Sequence, residues 1–125
     1  MLSLAKKSID PIVVSDQIGR LTFTSELVRS IDYLLTQRSP FGVYNVTNSG
    51  DPASWANIAR EIFKLAGYNN TVTDTTTSEY YKGKIGIAPR PLNSVMDLDK
   101  LHQIGFDSYL WQDGLSEYVK REIAG

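Results

Sequence analysis

Residues Ser54 to Gly67 can hide their apolar side chains in only one way. Trp55, Ile58, Ala59, Ile62, Phe63 and Ala66 recur at intervals of three and four, which sets them on one face of a helix. Ser54 stands where a hydroxyl caps the first turn, and Gly67 where a left-handed residue closes the last. Such a face needs an apolar layer to cover it. The runs Ile12-Val13-Val14 and Phe41 to Val46, β-branched or aromatic and bounded by turn residues, read as strands. Strands and helices in alternation predict an α/β layered fold.

The remaining segments extend the pattern. Leu27, Val28, Ile31, Leu34 and Leu35 form a second apolar stripe, with Thr24 as its cap and Ser39-Pro40 as its stop. Asp16 to Arg20 reads as a polar turn and Leu21-Thr22-Phe23 as a short extended segment. Tyr68 to Thr77 reads as a polar loop with a short strand around Val72, Ser78 to Lys82 as one turn, and Ser94-Val95-Met96 as extended. Asp97 caps a short helix through Leu101 that Gly105 ends. A last helix carries Leu110 or Trp111, then Leu115, Tyr118, Val119 and Ile123. The total is about four helices and a few short strands, too few for a free-standing doubly wound sheet. One lobe that finishes a larger sheet is the expected architecture. Met1 to Lys7 reads as the end of an amphipathic helix, its lysines suited to a helix C-terminus, which sets the expectation of a piece of a longer chain.

Composition excludes several function classes. At 125 residues a single domain over 1–125 is expected. A net charge of −1 gives no broad basic surface for nucleic acid or anionic membrane. The lack of cysteine removes disulfides, thiolate nucleophiles and cysteine metal ligands. No apolar run approaches the roughly 18 residues of a membrane span, and no signal-peptide h-region opens the chain, so a cytoplasmic protein is expected.

Ala88-Pro89-Arg90-Pro91 is the sharpest chemical signal. Two prolines stiffen the loop around Arg90, and an aimed guanidinium fork suits a phosphate or carboxylate. The alternative is an arginine that tethers a loop through local carbonyls. Asp16, Gln17, Arg20 and Thr22 follow a strand, where open α/β sheets hold ligands, and Asn48-Ser49-Gly50 has the same placement. For both clusters a structural turn and a ligand loop are equally open. Trp55 reads first as core packing and second as a ligand platform. His102 reads as a local partner at a helix end, and Asp97/Asp99 or Asp10/Asp16 as caps and turns. Tyr80-Tyr81-Lys82 is a weak acid/base pair because adjacent residues do not share a helix face. No glycine-rich phosphate loop or nucleophile elbow is present. No catalytic residue and no metal site are expected in this chain.

Four blocks, in order, carry a family resemblance. Val13 to Thr22 resembles the D-Q-x-G-x-P-T signature of the dTDP-4-dehydrorhamnose reductase family, and Gly42 to Gly50 its G-x-Y-H/N-x-x-x-x-G segment. Ser54 to Phe63 resembles its S-W-x-x-F-A-x-x-I-F helix, and Ala88 to Leu101 its A-R-P-x-N-S-x-L-x-x-x-K-L block. The resemblance implies the C-terminal lobe of an NAD(P)-binding, Rossmann-type extended short-chain dehydrogenase/reductase. It implies a parent that reduces a dTDP-4-keto-6-deoxy sugar with NADPH or NADH. The cofactor and the Thr, Tyr-x-x-x-Lys set would belong to a missing N-terminal Rossmann half, with a fused 3,5-epimerase domain as a further possible partner. Arg90 would then approach the substrate diphosphate, and Asp16, Gln17, Arg20 and Thr22 would lie in the substrate-side loop. Leu21 departs from the family's proline, and Asn45 from its common histidine. A non-catalytic subunit of the same fold, like the reductase-like regulatory subunit of methionine adenosyltransferase, is the alternative. A stand-alone interaction domain is a third reading.

Overall fold

Ile12–Val14 (β1) and Thr73–Thr75 (β4) pair in parallel, Ile12 opposite Thr73 and Val14 opposite Thr75. The computed structural model describes residues 1–125. Parallel strands need a long crossover, and this one contains Thr24–Thr36 (α2) and Trp55–Leu65 (α3). A second, two-residue pair sets Ile18–Gly19 (β2) antiparallel to Ala53–Ser54 (β3). On its other side β2 meets residues 92–94: the Ile18 N–H donates to the Leu92 carbonyl at 2.8 Å, and the Ser94 N–H to the Ile18 carbonyl at 2.9 Å. A Cβ at Gly19 would lie 2.5 Å from Ser94 Oγ, so any side chain there would turn that hydroxyl away from the Ile18 carbonyl to which it donates.

Helix α3 is the hub, capped as expected. Ser54 Oγ accepts from the Asn57 N–H at 3.1 Å, and Gly67 adopts φ +72°. One flank joins Ala5, Val13, Ala56, Ala59, Phe63 and Val72 in a core; the other packs Ile58 against Trp111, Leu115 and Val119 of the last helix, Trp111–Ala124 (α6). Three five-residue helices complete the set: Leu2–Lys6 (α1), Thr77–Tyr81 (α4) and Asp99–Gln103 (α5). The total is thus six helices, against about four expected. No helix is long and apolar enough to cross a membrane.

Several local expectations change. The polar turn at 16–20 contains β2, and Leu21 to Phe23 forms no strand. Thr24 is the first residue of α2 and not its cap; the Phe23 N–H finds Asn48 Oδ1 at 2.9 Å instead. Ser94 to Met96 forms no strand beyond the bridge that Asn93 makes to Ile18. Phe41 to Val46 is unpaired, with Phe41 and Val43 exposed. The largest change is the facing of α2. It buries Glu26 and Ser30 and leaves Val28, Ile31 and Leu35 in solvent, so the stripe read as core points outward.

Candidate functional site

Two adjoining hollows share the walls Gln17, Trp55, Ile58 and Arg90. The smaller, about 210 Å³, is completed by β2, Ala53, Arg20, Pro91 and Ser94. The larger, about 1050 Å³, is bounded by β1, Leu21 to Ser25, α3, the α4 tyrosines and α6. Its charged side chains are Arg90 and Arg121, and no aspartate or glutamate lines either hollow. In a chain with 14 acidic and 13 basic residues, that is a marked local excess of positive charge.

Arg90 is exposed and lines both hollows. Its guanidinium makes no hydrogen bond or ion pair within the chain, so the tether reading of this arginine does not hold. Arg20 is the tether: Nε donates to the Gly50 carbonyl at 2.7 Å and Nη1 to the Met96 carbonyl at 3.1 Å. Arg20 still borders the smaller hollow, while Thr22, exposed, borders the larger.

Asp16 and Gln17 both engage Thr77 at the start of α4. The Thr77 N–H reaches both Asp16 oxygens at 2.9 Å, and its hydroxyl donates to Oδ1 at 2.7 Å. Gln17 Nε2 donates to that hydroxyl at 3.0 Å. Gln17 lines both hollows; Asp16 lines neither and acts by fixing α4, whose Tyr80 and Tyr81 wall the larger one. The two Thr77 donors hold the Asp16 carboxyl below its ordinary range. A lowered native pKa means the charged form favours the fold above the unfolded value, about 3.9, and that this contribution is lost as pH falls through the native value. Acid unfolding followed by near-UV circular dichroism should therefore show Asp16→Asn less stable than wild type at pH 7. The difference should shrink below about pH 4.

Asn48, Ser49 and His102 resolve as structural. Asn48 accepts from Phe23 and donates to the Tyr109 carbonyl at 3.2 Å; the Ser49 hydroxyl donates to the Ser108 carbonyl at 2.6 Å. His102 pairs with Asp107, both exposed. Trp55, read first as core, is 51% exposed at the mouth of α3. Arg121 and Tyr118, which share a face of α6, were not singled out as site residues; their spacing of three was the available signal.

The family described as the RmlD substrate binding domain matches residues 1–123. The chain belongs to the RmlD substrate binding domain family. Among relatives, the chain is 34% identical over 96% of its length to the spore coat polysaccharide biosynthesis protein SpsK of Bacillus subtilis, covering 40% of that protein. It superimposes on a dTDP-4-dehydrorhamnose reductase of Clostridium acetobutylicum with a TM-score of 0.85 and 32% identity, covering 97% of the domain and 41% of that enzyme. The reductase of Bacillus anthracis, solved in complex with NADP, matches with a TM-score of 0.82 and 30% identity, over 96% of the domain and 41% of the enzyme. The domain thus spans about two-fifths of the length of these relatives. The α/β lobe expected from the sequence resemblance is the fold observed.

Proposed function

We propose that this chain is the C-terminal, sugar-nucleotide-binding portion of a dTDP-4-dehydrorhamnose reductase, a single domain over 1–125 of a longer enzyme. Its substrate is a dTDP-4-keto-6-deoxy sugar, whose C4 receives hydride from NADPH or NADH held by an N-terminal Rossmann half. No residue of this chain is assigned to the cofactor or to proton transfer, so the chain alone is inactive. The observation that carries the reading is Arg90. It is a guanidinium with no partner of its own, stiffened by two prolines, at the junction of two hollows without carboxylates. A planar fork of donors matches a diphosphate in a way no other side chain does.

Two unpartnered surfaces support a docked second half. The outward stripe of α2 is apolar, and Phe41 to Val46 offers unpaired backbone groups of the kind that recruit another strand. Polypeptide of the same longer protein is the occupant this reading assigns to both.

Calorimetric titration with dTDP tests the reading. Arg90→Ala should weaken binding about ten- to hundredfold, the worth of a charge-assisted hydrogen-bond pair. Arg90→Lys should recover part of it, because an ammonium keeps the charge without the fork. Wild-type affinity in Arg90→Ala would remove the diphosphate assignment.

A further inference from the structure

We infer that Ile85 to Ala88 is a strap that closes over a ligand gripped by Arg90 and lays Ile85 on the apolar wall of the larger hollow. The inference rests on the sugar-nucleotide reading above and adds a moving part to it. Both ends of the strap stand on the rim. Tyr80 and Tyr81 wall the larger hollow at one end and Arg90 borders both hollows at the other, yet no residue from Lys82 to Pro89 lines either. Every residue from Lys82 to Arg90 is exposed. Ile85 is 98% exposed, so nothing covers it, and Ile87 is exposed as well. The backbone is as free as the side chains. The N–H groups of Ile85, Gly86, Ile87, Ala88 and Arg90 donate to no backbone carbonyl, and no carbonyl from Ile85 to Pro91 accepts from a backbone N–H.

The two roots are fixed and the middle is not. Lys82, at φ −54° and ψ 126°, and Gly83, at φ +75°, form a type II turn, which the Lys84 N–H closes by donating to the Tyr81 carbonyl at 2.9 Å. Lys84 then folds back, its ammonium 4.0 Å from the centroid of the Tyr80 ring. At the other root Pro89 and Pro91 restrict the backbone on either side of Arg90. Between the roots Gly86 sits at φ +76° with nothing within 4 Å of where a Cβ would lie, so glycine supplies backbone freedom there and not room. A segment without hydrogen bonds, hinged at a glycine between two anchors, moves with few contacts to break. Closing orders several residues, and the larger hollow, about 1050 Å³, is too wide for four residues to fill alone. A ligand at Arg90 narrows that hollow, whose walls include Leu21, Phe23 and Ile58, and gives Ile85 a surface to cover. Closure also shields the Arg90 ion pair from water, which strengthens it.

The test is amide hydrogen exchange of the chain and of Ile85→Ser, each alone and with saturating dTDP. The rate of dTDP release is read alongside by surface plasmon resonance. In the chain alone, the amides of Ile85 to Ala88 should exchange as in an unstructured peptide, and dTDP should slow them about tenfold or more. Ile85→Ser should lose that protection. It should also release dTDP about tenfold faster at an unchanged association rate, which is what burying one aliphatic side chain contributes. Its thermal midpoint without dTDP should match wild type, because nothing covers Ile85, and this separates a strap from a merely structural role. If dTDP binds and Ile85 to Ala88 stay unprotected, the strap does not close and the sugar-nucleotide reading stands. If Ile85→Ser keeps both the protection and the wild-type release rate, closure does not run through Ile85 and the inference is wrong. If wild type does not bind dTDP, the sugar-nucleotide reading fails and this inference with it.

Discussion

Truncating Phe63 to alanine will bring the chain close to unfolding at 25 °C. Phe63 is 2% exposed in a cluster with Ala5, Val13, Ala56, Ala59 and Val72. Three of those five neighbours are alanines, short and without rotamers, so only Ile62 and Tyr68 at the edge of the cluster are able to move toward the space. Truncations of this kind cost about 3–5 kcal/mol. A domain typically holds only about 5–15 kcal/mol in total, and with 20 of 125 residues buried this one belongs at the lower end. Urea unfolding followed by far-UV circular dichroism should show the midpoint reduced by at least half, with Phe63→Leu intermediate because it keeps part of the volume. A wild-type midpoint in Phe63→Ala would mean that the core does not sit where the α3 stripe puts it.

Glu26→Ala should be the most damaging change at a charged position, at about 3 kcal/mol, near the lower end for a broken buried pair. Glu26 is 2% exposed in the first turn of α2, where a carboxylate also complements the helix dipole. Its Oε1 accepts from Arg29 Nη2 at 2.6 Å and from the Tyr109 N–H at 3.1 Å. Arg29 in turn lies over the rings of Phe106 and Tyr109, at 4.1 and 3.9 Å from their centroids. Removing the carboxylate takes away the acceptor of the Tyr109 N–H and breaks the ion pair of a cation that is only one-third exposed. Thermal unfolding should fall by about 10 °C for a domain of this size. Glu26→Gln, which keeps an acceptor for the Tyr109 N–H, should lose less. Equal stability of Glu26→Ala and wild type would show that this network contributes nothing.

The sequence is most legible where neighbours along the chain decide the structure. Helix α3 declares its cap, its stripe and its closing glycine within 14 consecutive residues; the cap and the glycine are found as expected, and the stripe from Ile58 onward faces inward while Trp55 does not. Arg90 is readable for the same reason, since its two prolines act on the adjacent backbone. Asp16 and Arg20 are not, because the groups that engage them lie far away in sequence, Thr77 at 61 residues and Met96 at 76. A side chain that bonds such a distant partner looks from the sequence like one free for a ligand.

The misread facing of α2 and the missing strand at Phe41 to Val46 share a cause. Both patterns specify burial, and no other element of these 125 residues covers either one. A strand exists only when something pairs with it. In the function proposed above, the rest of a longer protein covers both. Trp55 follows the same logic on a smaller scale: its spacing puts it on the core stripe, but its place at the first turn sets it at the mouth of the site.

In the function proposed above, Arg90 and the two hollows beside it bind a nucleoside diphosphate. Adding dTDP to the ¹⁵N-labelled chain and mapping the shifted resonances tests it most directly. The shifts should centre on the Arg90 Nε–H, the Gln17 side-chain amide and the Trp55 indole N–H, leaving Asn48 and His102 unmoved. Shifts centred on Asn48 to Gly50 or on His102, or no shifts at all at millimolar dTDP, would contradict it.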